Sequence, residues 1–423
     1  MLINLPMELV PLMELSRKDL VNLSLVDSSH RAKFYPLVYD KVKLTWNQFK
    51  NFNELFKSKD MVRSVRVFSD HTDKKATSYG EWNISLKELL EECANLKHLT
   101  IEVVSSSRCL KYQDKFDVDL SDKIEYLKLI SHSLEANDES LFELTQLQRF
   151  HNIKQLVLNG FLLTKDQFFY PKFKPDFSDL KQRSRDGRLV YLNDLKLVNC
   201  KWDHPCNLND IFSPTYPSPN PLINMETSEF TSPERLSLYY NDQSSNFVVS
   251  ERFKSFIDND LNELFLFQTR FYYNLKHLSL VILNQKSEEN KYNYYPWLNW
   301  LNLKKIFQAQ NMETLEIENK SILTNLETLT LVGWRLTSLN ELDKVFVVAN
   351  GPQPRLKRLQ LYIVKARTSS TDCTETTAAD VDLLSRMKTR LELIFPKCHT
   401  TVGFVEECVS DQRYANEYTK NND

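Results

Sequence analysis

The chain has 423 residues, of which 42% are hydrophobic, with 54 Lys and Arg against 56 Asp and Glu, a formal net charge of −2. There is apolar side chain enough for a large core, and so even a balance leaves no global pull toward nucleic acid or an anionic membrane. Only six glycines occur, and no two are spaced as in GxGxxG or GxxxxGKS/T, which excludes phosphate cradles of those kinds.

From the N-terminus, residues 5–38 read as three short helices. Pro6 suits the first helical position, and Met7, Leu9, Val10, Leu12 and Leu15 follow it. Ser16-Arg17-Lys18-Asp19 breaks that pattern and caps a second helix, whose apolar side is Leu20, Leu23, Leu25 and Val26. A third is expected from Ser28–Ser29 to just before Pro36. Helices this short bury little by themselves and need an adjoining layer or a partner.

From residue 62 one pattern recurs: apolar, two residues, apolar, one residue, apolar. It starts at Val62, Leu96, Ile124, Ile153, Leu192, Pro233, Leu275, Met312, Leu326 and Leu356. Alternation places the fourth and sixth positions on one buried face of a strand, and the first packs just before it. Most intervals fit one strand, one helix and two turns; the step from 312 to 326 is only 14. Between the strands, Ser85-Leu86-Lys87-Glu88 predicts a capping box, with Leu86, Leu89, Leu90 and Cys93 as one apolar face. Ser338-xx-Glu341 predicts another, followed by Leu339, Leu342 and Phe346 and a stop at Asn350-Gly351.

Prolines at 205, 214, 217, 219, 221 and 233 mark residues 203–233 as an insertion, and a second is expected near 285–300. Residues 368–380 read as a mobile loop. A last helix is expected over about 379–394, with Leu384, Met387, Leu391 and Ile394 on one face. A strand near 400–406 closes the series, and a polar tail runs from 411 to 423.

The repeat resembles the leucine-rich repeat, whose strands line the concave side of a horseshoe. Its copies are degenerate, and Asn199-Cys200 comes nearest to the Asn or Cys that the family places after the strand. Residues 1–40 resemble the F-box. That family opens with Leu-Pro-x-Glu-Leu, here Leu5-Pro6-Met7-Glu8-Leu9, and continues with Asp-Leu before a leucine-rich helix, here Asp19-Leu20 to Val26. In fungi a Pro-x-x-Tyr often follows before the first strand, here Pro36-Leu37-Val38-Tyr39 before Val42-Lys43-Leu44. The expected fold is therefore α/β: a short all-helical F-box, then an irregular leucine-rich-repeat solenoid over 41–410, with parallel strands on the concave face and helices outside.

The resemblance implies a non-catalytic subunit that docks on the Skp adaptor of a cullin ubiquitin ligase and presents a protein client on its repeats. Leu5, Pro6, Leu9, Leu20, Leu23 and Val26 would make or support the docking. Two alternatives stay open: an F-box subunit of a non-degradative, Skp-containing kinetochore or trafficking assembly, and a leucine-rich-repeat scaffold with no ubiquitin role.

The exposed strand positions between the paired leucines are basic early, at Arg66, Lys128 and Lys196, and neutral or acidic later. These three, with Tyr292, Tyr294 and Tyr295, are the candidate client contacts; the tyrosines equally suit packing of an oversized repeat. The basic run Lys181–Arg188 reads as a solvated loop, or as a phosphate contact or nuclear address. Cys200-xxx-His204-x-Cys206 lacks the fourth ligand that zinc requires. No GxSxG, HExxH or CxxC occurs, so no catalytic site, metal or cofactor is expected. Seven scattered cysteines predict free thiols in a reducing compartment. Neither a secretory leader nor a run of 18 apolar residues is seen, so a cytoplasmic or nuclear protein without a membrane partner is expected, and nucleic acid is not an expected ligand.

Overall fold

The computed structural model describes residues 17–52, 59–68, 79–105, 123–133, 140–143, 153–164, 192–202, 234–241, 275–283, 303–304, 307, 325–346, 355–364 and 378–405. The chain divides into two compact units. Unit one is Met1–Leu141, Gln146–Phe161 and Pro171–Tyr191; unit two is Phe142–Thr145, Leu162–Tyr170 and Leu192–Asp423. The first elements are α1 (Arg17–Ser24), α2 (Ser28–Tyr39), β1 (Lys41–Thr45), α3 (Trp46–Lys50), β2 (Ser64–Phe68) and α4 (Tyr79–Glu92). Strands β3 (His98–Ser105), β4 (Tyr126–Ser133), β5 (Ser140–Glu143), β6 (Gln155–Asn159) and β7 (Phe161–Thr164) follow. Then come β8 (Asp194–Val198), β9 (Lys201–Trp202), β10 (Arg235–Asn241), β11 (His277–Leu283), β12 (Thr328–Trp334), α5 (Asn340–Phe346), β13 (Arg358–Ile363), α6 (Ala378–Ile394) and β14 (His399–Phe404).

The main strands pair in chain order and in parallel, as an α/β repeat requires. In unit one, Val42, Val65, Leu99, Leu127 and Leu156 lie in one cross-strand row, and Leu44, Val67, Ile101, Leu129 and Leu158 in the next but one. In unit two the corresponding rows are Leu195, Leu236, Leu278, Leu329 and Leu359, and Leu197, Leu238, Leu280, Leu331 and Leu361. All these side chains are buried. So are Val62, Leu96, Ile124, Ile153, Leu192, Leu275, Leu326 and Leu356, the first positions of their copies. A period of two turns every such side chain to one face, and each fully buried leucine contributes about 1.5–3 kcal/mol. Short β7 pairs in parallel with β9 through Leu162–Lys201 and Leu163–Trp202.

Charge at the second position of the pattern adds register. Glu125 bridges Lys97 at 2.8 Å and Lys154 at 3.0 Å in unit one. In unit two, Lys276 meets Glu234 at 3.0 Å and Lys357 meets Glu327 at 2.8 Å. Opposite signs on neighbouring repeats favour the pairing observed and penalise a slip.

Strands of both units also bend at one shared position, two residues after the second strand leucine. Gly160 (φ +78), Asn199 (φ 49) and Gly333 (φ +92) occupy it, all in the left-handed region. The two glycines also approach the preceding strand: a Cβ on Gly160 would sit 2.5 Å from the Ser131 carbonyl oxygen, and one on Gly333 would overlap that of Ile282. The register shifts between Val332 and Trp334 at this bend, and Trp334 turns into the core against Phe346, with ring centroids 5.9 Å apart. Phe346 also meets Phe307 at 6.0 Å and Phe395 at 5.5 Å.

Several expectations change. The second helix ends at Ser24, so Leu25 and Val26 fall in the turn that follows it. The third runs through Pro36 to Tyr39. Proline there costs one backbone bond near the helix end, while Phe34 and Val38 bury their side chains on either side of it. α4 opens at Tyr79, six residues before the expected Ser85 capping box, so Ser85 lies inside the helix. Its apolar face is as read: Leu86, Leu89, Leu90 and Cys93 are buried. At α5 the Glu341 carboxylate takes hydrogen bonds from the Thr337 hydroxyl and backbone N–H in place of Ser338.

β11 pairs directly with β10 and β12. The copy at 312–317 lies outside the described residues. α6 begins at Ala378, inside the expected 368–380 loop, and buries Met387 and Leu391. Residues 5–15, the 203–233 and 285–300 insertions, the Asn350-Gly351 stop and the 411–423 tail lie outside the described residues.

Candidate functional site

The face opposite the leucines carries the polar side chains of the strands. In unit one, Lys43, Arg66, Thr100, Lys128 and Val157 form one cross-strand row. Arg66 is not an idle surface cation. Its Nε donates to Glu102 Oε1 at 2.7 Å, from β2 to β3. The Glu102 side chain is only 9% exposed and that of Arg66 21%. The Trp46 indole N–H donates to the Glu102 backbone oxygen at 3.1 Å, tying α3 to the same spot. Thr45 and Gln48 cap α3 reciprocally, which orients Trp46 at its first turn. Lys128 is half-buried two strands away in the same row.

In unit two, Lys196, Ser237, Ser279, Thr330, Gln360 and Thr401 share a row and are all half-buried. The Thr330 hydroxyl donates to Gln360 Oε1 at 3.2 Å. The row two positions earlier is Asp194, Arg235, His277, Thr328, Arg358 and His399. His277 Nδ1 lies 2.7 Å from the Thr328 hydroxyl. Burial, then the charge of Arg235, push the His277 pKa below its usual value, favouring the neutral ring. The row two positions later is apolar and buried: Val198, Tyr239, Val281 and Val332, with Tyr362. The open part of this face is therefore hydroxyl- and amide-bearing with a basic margin.

The N-terminal helices present a different surface. Asp27 caps α2, its Oδ1 accepting from the His30 N–H at 2.8 Å and its Oδ2 lying 2.8 Å from His30 Nδ1. These bonds hold the Asp27 carboxyl below its ordinary pKa. The cap fixes the turn that carries Leu25 and Val26, which are 64% and 62% exposed. Val21 on α1 is exposed beside them, and Leu20 and Leu23 are half-buried.

Of the residues singled out from the sequence, Arg66 and Lys128 share a row, Lys196 belongs to unit two, and Val26 lies in the α1–α2 turn. Leu5, Pro6, Leu9, Tyr292, Tyr294, Tyr295 and the Lys181–Arg188 run lie outside the described residues. The Arg235–His399 row was missed, although its signal is plain: it is the residue just before the paired strand leucines. Cys200 is buried with its Sγ 3.5 Å from the Val198 carbonyl oxygen, while His204 and Cys206 lie outside the described residues. Burial pushes the Cys93 thiol up to about 11 and raises that of Cys398. No group of three possible metal ligands gathers among the described residues, and none of their helices is long and apolar enough to cross a membrane. No family model and no curated protein matches the chain.

Proposed function

We propose that the protein is a non-catalytic substrate receptor: the N-terminal helices dock as an F-box on the Skp adaptor of a cullin ubiquitin ligase, and leucine-rich repeats hold a protein client. The observation that carries this reading is the Val21, Leu25 and Val26 patch. Five large apolar side chains are exposed among the described residues, and three of them fall in this one short stretch. Clustered apolar exposure on a small helical piece marks a partner surface, while scattered single residues do not. The motif residues Asp19-Leu20 and Leu23 lie on α1 with Val21. The receptor acts by proximity, bringing a client lysine to a conjugating enzyme that supplies the chemistry.

The test is a pull-down of the full chain beside a Leu5→Ala, Pro6→Ala, Leu9→Ala variant, probed for the adaptor and the cullin. Recovery of both by the wild type, and loss of both in a variant with an unchanged circular dichroism spectrum, supports the receptor. Adaptor without cullin points to a non-degradative assembly, and recovery of neither sinks the F-box reading.

A further inference from the structure

We infer that the open face of β10–β14 binds an extended acidic segment of a partner protein. This deepens the proposed receptor by giving the chemistry of its client, but the observations are those of unit two alone. The two open rows of these five strands carry Arg235, His277, Thr328, Arg358 and His399, and Ser237, Ser279, Thr330, Gln360 and Thr401. No carboxylate stands among these ten residues, although the first row continues on β8 with Asp194, in register with Arg235. The nearby Glu234 and Glu327 are taken by Lys276 and Lys357. Arg235, Arg358 and His399 are exposed and pair with no carboxylate among the described residues. A largely basic margin beside a strip of hydroxyl and amide groups suits a ligand with acidic side chains and a backbone that needs hydrogen bonds.

Strand spacing gives the ligand a ruler. Arg235 on β10 and Arg358 on β13 are three strands apart in the same row, about 14 Å at about 4.8 Å per strand. An extended peptide advances about 3.3 Å per residue, so carboxylates about four residues apart reach both guanidinium groups. A peptide crossing the strands at this level lies over Ser237, Ser279, Thr330 and Gln360. Single-stranded nucleic acid fits less well, because the only rings these rows offer a base are the imidazoles of His277 and His399, with no Phe, Tyr or Trp in either.

Fluorescence anisotropy on the full chain tests this without the adaptor, so its failure is separable from failure of the F-box reading. The probe is a labelled Gly/Ser peptide of about a dozen residues with Glu at every fourth position; a Lys counterpart and an oligouridylate of similar length are compared with it. Saturable binding of the Glu peptide is expected, weakened at least about tenfold by R235E with R358E and within about threefold of wild type for R235K with R358K. A photo-crosslinker at the peptide centre is expected to label β10–β13 of the unaltered chain, whatever the variants do to folding. No saturable binding, equal binding of the Lys peptide, tighter binding of oligouridylate, or crosslinks confined elsewhere would overturn the inference.

Discussion

Replacing Gly333 by alanine tests the bend that turns Trp334 into the core of unit two. Gly333 sits at φ +92, where an L side chain costs about 1–2 kcal/mol. The new Cβ would also overlap the Ile282 carbonyl oxygen and lie 3.1 Å from its carbon. That neighbour is backbone in an adjacent paired strand and cannot swing aside as a side chain would. Relieving such overpacking costs about 1–3 kcal/mol more. The sum is about 2–5 kcal/mol, which for a unit of this size lowers the melting temperature by roughly 5–15 °C. The assay is thermal unfolding of the full chain followed by circular dichroism, with Asn199→Gly as the companion. Asn199 occupies the same place in its repeat at φ 49, and glycine there relieves strain while adding chain entropy, so its net effect stays within about 1 kcal/mol. A Gly333→Ala protein that melts with the wild type would refute the reasoning.

Glu102→Ala should destabilise unit one by about 1–3 kcal/mol in urea unfolding, because it leaves the partly buried Arg66 guanidinium without its carboxylate; Arg66 and Glu102 altered together should cost less than the two single changes summed. Hydrogen bonds from Lys97 and Lys154 lower the Glu125 pKa from 4.5, so its contribution to stability is present above that value and fades as pH falls through the lowered one. Glu125→Gln should therefore flatten the acid limb of the stability profile slightly, and salt should shrink the difference, since the pairs are surface-exposed. With its thiol at about 11, Cys93 should resist iodoacetamide at pH 8 in the folded chain and react in denaturant, read by peptide mass mapping.

The strand ladder was legible because its signal is local. Leu-x-Leu with an apolar residue three before it needs only a period of two and one buried face, and Leu195 with Leu197 or Leu359 with Leu361 satisfies both wherever the neighbours fall. The same holds for α6, whose buried Met387 and Leu391 repeat at helical spacing. What the sequence hid depends on which strands are adjacent. Arg66 and Glu102 are 36 positions apart, and only the β2–β3 register makes them partners. The basic row of unit two does not show in the residues between the strand leucines: Arg235 and Arg358 sit two places before them, and His399 two places before Thr401. At the N-terminus the leucine-rich letters of 20–26 suggested one apolar helical face, whereas the helix ends at Ser24 and leaves Leu25 and Val26 in solvent.

That exposed patch is where the central claim is most directly tested. Isothermal titration of the full chain with purified Skp adaptor, wild type beside a Val21→Ser, Leu25→Ser, Val26→Ser variant, asks whether the patch is a docking surface. Because Leu25 and Val26 are mostly exposed and Val21 is about one-third exposed, their loss should shift the circular dichroism melt only slightly. Saturable binding by the wild type and a loss of at least about tenfold in the variant are expected. No binding by the wild type, or equal binding by a folded variant, would contradict it.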